Sequence, residues 1–513
     1  MSQVQLSRRR LLGSVAAAGA GLAVGTAQAA SAKKANVKYD LTCDVLVVGG
    51  GLSGLGAAIM ASRAGAKVCL IEQRTLCGGD GVLSEGVFHS SKSVVHEQQG
   101  FTDKDKIAFE YFWEEQCRGL MDDDVMNNVR DNTTNSPMYH AYCKRDLKVM
   151  ENVARNCTNA ISLLVGYGVK FKPIDPQLRF LQCVQRNEMS TFVMGALEEL
   201  EKNGVKVIND LHASELIVGS DGGVDGLKAE YVRGDNKGRK LAIKAGRTIL
   251  ATGGFLDNDQ MMRRYKRFWA GIPAGWTFVG EGLPKDHNGD GIEMARKIGA
   301  SLESMESVPK FYAAGDKGKH IPSWLIFKFD KAYFLGENGK RLHNEFIGWY
   351  TGCVLSLVQH GFVLFDEETF SGKNHDYWGL QRCLESGGLI KCNTIEDIAK
   401  ATGIKAAAIK ETIDRINRDA AAGKDTEFGR TDTFFKPLKA PYYVSSKGYP
   451  VRYKTEGGLE VNPQFEVLRS VDLKPIGRLY AVGAGCGSMT TRNGDVLSAG
   501  MLAGTNAVKS LKA

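Results

Sequence analysis

The first clear fold signal along the chain lies at Cys43-Asp44-Val45-Leu46-Val47-Val48, an aliphatic run that breaks directly into glycines. A short apolar, β-branched run bounded in this way predicts a buried strand. An alanine-rich helix follows, ending near Arg63-Ala64-Gly65-Ala66. Lys67-Val68-Cys69-Leu70-Ile71-Glu72 then predicts a second strand that closes on a carboxylate. The same strand-then-glycine pattern returns at Ile249-Leu250-Ala251-Thr252-Gly253-Gly254-Phe255 and again at Arg478-Leu479-Tyr480-Ala481-Val482-Gly483-Ala484-Gly485. The last of these leads into a helical stretch through Leu497 and Leu502. Strands alternating with helices predict an α/β fold with a parallel sheet.

Between the first two strands lies Gly49-Gly50-Gly51-Leu52-Ser53-Gly54, a Gly-x-Gly-x-x-Gly motif in its full context of strand, helix, second strand and acid. Gly49 suits a tight turn, Gly51 a close backbone approach to a pyrophosphate, and Gly54 tight helix–strand packing. The helix N-terminus, with Ser53 in its first turn, stabilises the negative charge. Glu72, with Gln73 beside it, is placed to accept hydrogen bonds from ribose hydroxyls. A glycine-rich loop, Cys77-Gly78-Gly79-Asp80-Gly81, can run beside the same pyrophosphate. With Ala251, Gly253, Gly254 and Gly485 supplying two more glycine-ended strands, three separated segments converge on one extended cofactor. That points to FAD rather than NAD, which needs only the first; no Ser/Thr flavin-transfer motif is assignable, so non-covalent binding is expected.

A length of 513 residues suits a large cofactor domain with a second one inserted, and 43% hydrophobic against 24% charged residues is ordinary for a globular protein. The net charge of +8 is spread along the chain without a basic block, which argues against nucleic-acid binding and suits an anionic substrate or an acidic redox partner. Ser7-Arg8-Arg9-Arg10-Leu11-Leu12, an Ala/Gly-rich apolar run and Ala27-Gln28-Ala29 read as a twin-arginine export signal over 1–29, followed by a linker over 30–40. Export by this route delivers a protein that is already folded and carries its cofactor, to the periplasm or another extracytoplasmic space. The 11 cysteines contain no Cys-x-x-Cys, so haem attachment, a zinc knuckle and a metal site lack support, and no disulfide is expected.

On these glycine motifs, on Gly289-Asp290-Gly291 with Met294-Ala295, and on Gly339-Lys340-Arg341 with Asn344-Glu345, the mature chain resembles the fumarate reductase flavoprotein family. That family includes urocanate reductases and 3-ketosteroid dehydrogenases. The resemblance implies a Rossmann-like FAD-binding domain over 41–305 and 455–513, with an inserted α+β capping domain over 306–454. It also implies hydride transfer from flavin N5 to the β-carbon of an activated double bond, with a side chain protonating the α-carbon. Where fumarate reductases carry their proton-donating arginine, this chain has Trp349, and Tyr350 is the nearest proton donor. A tyrosine following a tryptophan in an apolar stretch equally suits the core. The family's substrate histidines fall near Phe311 and Tyr312 and near Tyr453 and Lys454, and its relay arginine falls on Lys328. Its last substrate arginine corresponds to Arg492, for which a surface turn is the alternative. His343 reads as structural, and Arg452 as part of a positive pocket with Lys328 and Lys454.

Loss of the charged clamps at both ends argues against fumarate and for a larger, less charged α,β-unsaturated carbonyl or carboxylate compound. Electrons are expected from a c-type cytochrome or a quinol-linked membrane subunit, in a step of anaerobic respiration. The alternatives are a ketosteroid-like dehydrogenase and a non-catalytic flavin electron carrier.

Overall fold

The computed structural model describes residues 37–84, 86–89, 93–98, 147–175, 180–185, 188–265, 286–305, 311–314, 330–342, 344–345, 361–447, 449–452, 455–489 and 492–512. From Tyr39 onward the chain forms one compact unit. Its main sheet is built on five parallel strands: β1 (Leu41–Val48), β2 (Val68–Ile71), β3 (Lys206–Ile208), β4 (Lys240–Leu250) and β5 (Pro475–Ala481). They lie in the spatial order β5-β4-β1-β2-β3, and an antiparallel strand, Glu466–Leu468, borders β5. Two more antiparallel strands, Leu211–Val218 and Val224–Tyr231, extend the sheet along the first half of β4.

The register explains why these strands read as uninterrupted apolar runs. Val45, Leu46 and Val47 of β1 and Leu70 of β2 have no exposed surface, so both faces of these central parallel strands are covered. Helix α1 (Leu52–Arg63) packs against helix α2 (Glu188–Lys202) and, more closely, against the C-terminal helix α3 (Asn493–Leu511). The backbones of α1 and α3 nearly touch. A β-carbon on Gly500 would stand 2.0 Å from the Ser53 carbonyl oxygen, and one on Gly504 2.3 Å from that of Ala57. The small residues of α3 therefore set the depth at which the cofactor helix sits.

A second sheet has its own core. Four antiparallel strands lie in the order Ala332–Gly336, Gly361–Asp366, Tyr442–Ser445, Leu389–Cys392. Tyr333, Leu335, Leu364 and Val444 pack there against Ile398 of the helix Ile395–Thr402 and Ile409, Ile413 and Ile416 of the helix Ala406–Ala421. Two short ladders pair outgoing chain with returning chain: Leu302 and Glu303 with Leu459 and Gly458, and Phe311–Ala314 with Tyr449–Arg452.

Arg341, Asn344 and Glu345 form part of the scaffold of this second sheet. The Arg341 guanidinium binds Glu345 at 2.7 and 3.0 Å and Asp425 at 3.0 Å with both Nη atoms. Arg430 also reaches Glu345, at 3.3 Å, and donates to the Ala332 carbonyl at 2.8 Å. All four charged side chains are fully buried, so each holds the others in place, since none could remain ionised there alone. Among the described residues no helix is long and apolar enough to cross a membrane, and no cluster of potential metal ligands occurs. The eight described cysteines are all buried.

Candidate cofactor-binding site

Parallel pairing of β5, β4, β1 and β2 brings four strand ends to one edge of the sheet, so the glycine segments are neighbours there despite their separation in sequence. Ala251 continues β4 and donates its N–H to the Val48 carbonyl at 2.8 Å. Gly49 sits directly over it with φ +105°, where a β-carbon would lie 2.4 Å from the Ala251 oxygen. Gly54 faces Gly49 so closely that its β-carbon would stand 1.8 Å from the Gly49 oxygen. On the other side, a β-carbon on Gly485 would be 3.0 Å from the Gly253 oxygen, and one on Gly254 2.2 Å from Thr455 Oγ1. Thr455 accepts the Phe255 N–H at 3.1 Å, which fixes the returning chain on the β4 loop.

The Gly78–Gly79 loop folds back onto the first motif. Gly78 donates its N–H to the Gly50 carbonyl at 2.8 Å, and Gly51 and Gly78 form a parallel bridge. Gly51 itself is different from its neighbours: a β-carbon there would meet only Gly79 Cα, at 3.9 Å. Its open side adjoins the start of α1, whose first turn carries no acidic side chain and whose N-cap residue, Gly51, makes no side-chain bond. The leading N–H groups and the helix dipole are thus directed at a space suited to a phosphate.

Glu72, at the end of β2, is 7% exposed and accepts the Gly50 N–H at 2.6 Å and the Arg74 N–H at 2.8 Å. Burial raises its carboxyl above the ordinary range, and the two N–H donors partly offset this. Each oxygen keeps a second lone pair, which suits a ribose hydroxyl. Gln73 lies beside it; its Oε1 is 3.1 Å from His212 Nδ1, and its Nε2 donates to the Asp286 carbonyl at 3.2 Å. A polar cluster that sequence reading missed borders this end: Arg74, Asp80, Asp257, Asp286 and His287. Arg74 holds Asp286 with two bonds of 2.5 and 2.6 Å. The visible hint was the polar run Asp286-His287-Asn288 just before Gly289-Asp290-Gly291.

Arg492 is the N-cap residue of α3 and is 8% exposed, so it is no surface turn. Its positive charge acts on the Cys157 thiol, which burial and Asp495 together push well up. Tyr312 lies on the Phe311–Ala314 strand, its backbone paired with Val451, while Arg452 pairs with Phe311. Lys328, His343, Trp349, Tyr350, Tyr453, Lys454 and the signal over 1–29 lie outside the described residues.

A mainly parallel sheet whose glycine loops gather at one edge, with a helix N-terminus open beside them and a buried acid in register, defines a dinucleotide-binding fold. A family model described as the FAD binding domain matches residues 44–494, so the chain belongs to the FAD binding domain family, and FAD is its cofactor. The acrylate reductase flavoprotein subunit of Shewanella woodyi is 27% identical over 514 residues, covering 94% of this chain and 93% of that protein. A probable fumarate reductase of Shewanella frigidimarina is 25% identical over 488 residues, covering 91% of this chain and 75% of its own length. The 3-ketosteroid Δ4-(5α)-dehydrogenase of Rhodococcus jostii shares the fold with a TM-score of 0.68 at 21% identity, over 92% of this chain and 98% of that one.

Proposed function

We propose that this chain is an exported FAD-dependent reductase of an activated carbon–carbon double bond in an α,β-unsaturated carbonyl or carboxylate compound other than fumarate. The observation that carries this reading is the match to an acrylate reductase flavoprotein subunit along nearly the whole of both chains. In this reading the dinucleotide is held by Gly49, Gly51, Ser53, Gly54, Glu72, Gln73, Gly78, Gly79, Ala251, Gly253, Gly254 and Gly485. Held there and reduced by two electrons from the partner, the flavin would supply the hydride for the substrate's β-carbon.

The chain's own residues supply the rest. Tyr350 gives the proton to the α-carbon, a phenol being a competent general acid beside a positive group. Arg492 holds the substrate's carbonyl or carboxylate oxygen as negative charge grows on it; its burial supports this, because a buried guanidinium acts in a medium that screens it weakly. Lys328 and Lys454 add positive charge, and Tyr312 encloses the apolar part of the substrate. Tyr312, Lys328, Tyr350 and Lys454 belong to a capping domain over 306–454, whose boundary is supported by the separate core of the second sheet and by the two ladders that join its ends, while Arg492 belongs to the FAD-binding domain beneath it.

Electrons come from a separate c-type cytochrome or quinol-linked membrane subunit, and a relative named as a flavoprotein subunit supports such a division of labour. The test is anaerobic: the protein is reduced, then mixed with a panel of enones, aryl acrylates, short enoates and fumarate while flavin absorbance is followed. Rapid reoxidation by a panel member other than fumarate is expected; no reoxidation by any of them removes the reading. The reverse reaction, dehydrogenation of a ketosteroid-like compound, is separated by the flavin midpoint potential, since a strongly negative value disfavours it.

A further inference from the structure

His287 is bonded at both ring nitrogens to carboxylates on two different glycine loops. Its Nε2 stands 2.8 and 2.9 Å from the oxygens of Asp80, 207 residues away, which directly follows Gly78-Gly79. Its Nδ1 is 3.0 Å from Asp257 Oδ2, on the turn that follows Gly253-Gly254. The same Asp257 oxygen accepts the His287 backbone N–H at 3.1 Å, and the Asp257 N–H bonds the His287 carbonyl at 3.0 Å. The preceding residue, Asp286, is held by Arg74 with two bonds of 2.5 and 2.6 Å, which ties the segment to the end of β2. One short segment thus joins three pieces of chain around the nucleotide end of the cleft.

Only a doubly protonated imidazole can donate to both carboxylates at once. We propose that His287 is the clasp of the FAD cleft: its imidazolium holds the Gly78–Gly79 loop against the Gly253–Asp257 loop and sets how slowly the dinucleotide leaves. The two anchors differ in strength. Asp257 is 7% exposed and Asp80 58%, so the Asp80 end faces water and is the one that opens first.

The charges facing the ring among the described residues are Asp80, Asp257 and, at 3.8 Å, Asp286, with Arg74 3.7 Å from Asp80. Burial alone would lower the His287 pKa, but its bonds to Asp257 and then Asp80 outweigh this and push it up to about 10. A raised histidine value places the clasp's contribution fully below the ordinary histidine range, and it is lost as pH rises through about 10.

The test measures FAD release, by recovery of flavin fluorescence after dilution, from the holoprotein and its H287Q and D80N variants across neutral to alkaline pH. At neutral pH, H287Q releases FAD roughly ten- to hundredfold faster, the equivalent of losing one charge-assisted bond, and D80N releases it at an intermediate rate. Wild-type release accelerates as pH passes through about 10, and that step is absent from H287Q. Unchanged release from both variants overturns the proposal, as does the same alkaline step persisting in H287Q. Should H287Q fail to fold, D80N at the exposed anchor and the wild-type profile decide it. The proposal depends on FAD as cofactor and is independent of which substrate is reduced.

Discussion

Replacing Gly51 with alanine separates what the protein needs from what the cofactor needs. The residue lies at φ −73° and ψ −175°, a conformation open to any amino acid. An alanine β-carbon would meet only Gly79 Cα, at 3.9 Å, an ordinary van der Waals contact. Without cofactor the substitution should therefore leave the fold intact: restricting the unfolded chain contributes roughly 0.4–1 kcal/mol of stability, which offsets the weaker N-cap that alanine makes at the start of α1. With cofactor the substitution is costly, because the methyl group fills the space through which a pyrophosphate reaches the N-terminus of α1. Loss of one charge-assisted hydrogen bond there costs about 1.5–3 kcal/mol, or roughly ten- to a hundredfold in Kd at about 1.4 kcal/mol per decade. Thermal unfolding of the apoprotein and titration of FAD by fluorescence quenching measure the two effects separately. FAD affinity equal to wild type refutes the reasoning, and so does an apoprotein destabilised by more than about 1 kcal/mol.

The neighbouring Gly54→Ala should do the opposite and destabilise the protein itself by at least about 1–3 kcal/mol in urea unfolding, since its β-carbon has a backbone oxygen 1.8 Å away. Arg341→Met should cost about 3–5 kcal/mol in the same assay, by leaving Glu345 and Asp425 buried without their shared cation. Burial pushes the Asp425 carboxyl up, but Arg341 outweighs it and holds it below the ordinary range. This pairing therefore adds stability above that range and loses it as pH falls through the lowered value; in Arg341→Met the corresponding acid-side slope should disappear. Tyr350→Phe should lower turnover roughly a hundredfold while FAD binding stays unchanged, which steady-state kinetics and the visible spectrum check together; full activity would remove the phenol from the mechanism.

The start of the main sheet was legible because its signals are local. Val45-Leu46-Val47-Val48, Gly49 to Gly54 and Glu72 are consecutive pieces of one strand–turn–helix–strand unit, and their contacts follow from spacing alone. Convergence of the loops at Gly253 and Gly485 was also readable, since a parallel sheet must bring like ends to one edge. The clasp was not readable. His287 meets Asp80 across 207 residues and Asp257 across 30, and nothing in a polar run states which loops it will join. Gly339-Lys340-Arg341 with Asn344-Glu345 shows the complementary limit. The motif marks kinship correctly, yet the structure places its charges in a buried network beside Asp425, because buried ions must find partners wherever the fold supplies them. Arg492 was singled out by position in the last glycine loop, and only the packing of α3 shows that it is buried.

Whether the glycine-ended strands and Glu72 together enclose one flavin is decided by the visible spectrum and flavin content of the purified protein, before and after incubation with FAD. One FAD per chain, released intact by acid precipitation, is the predicted result. A protein that stays colourless after incubation with FAD would contradict it.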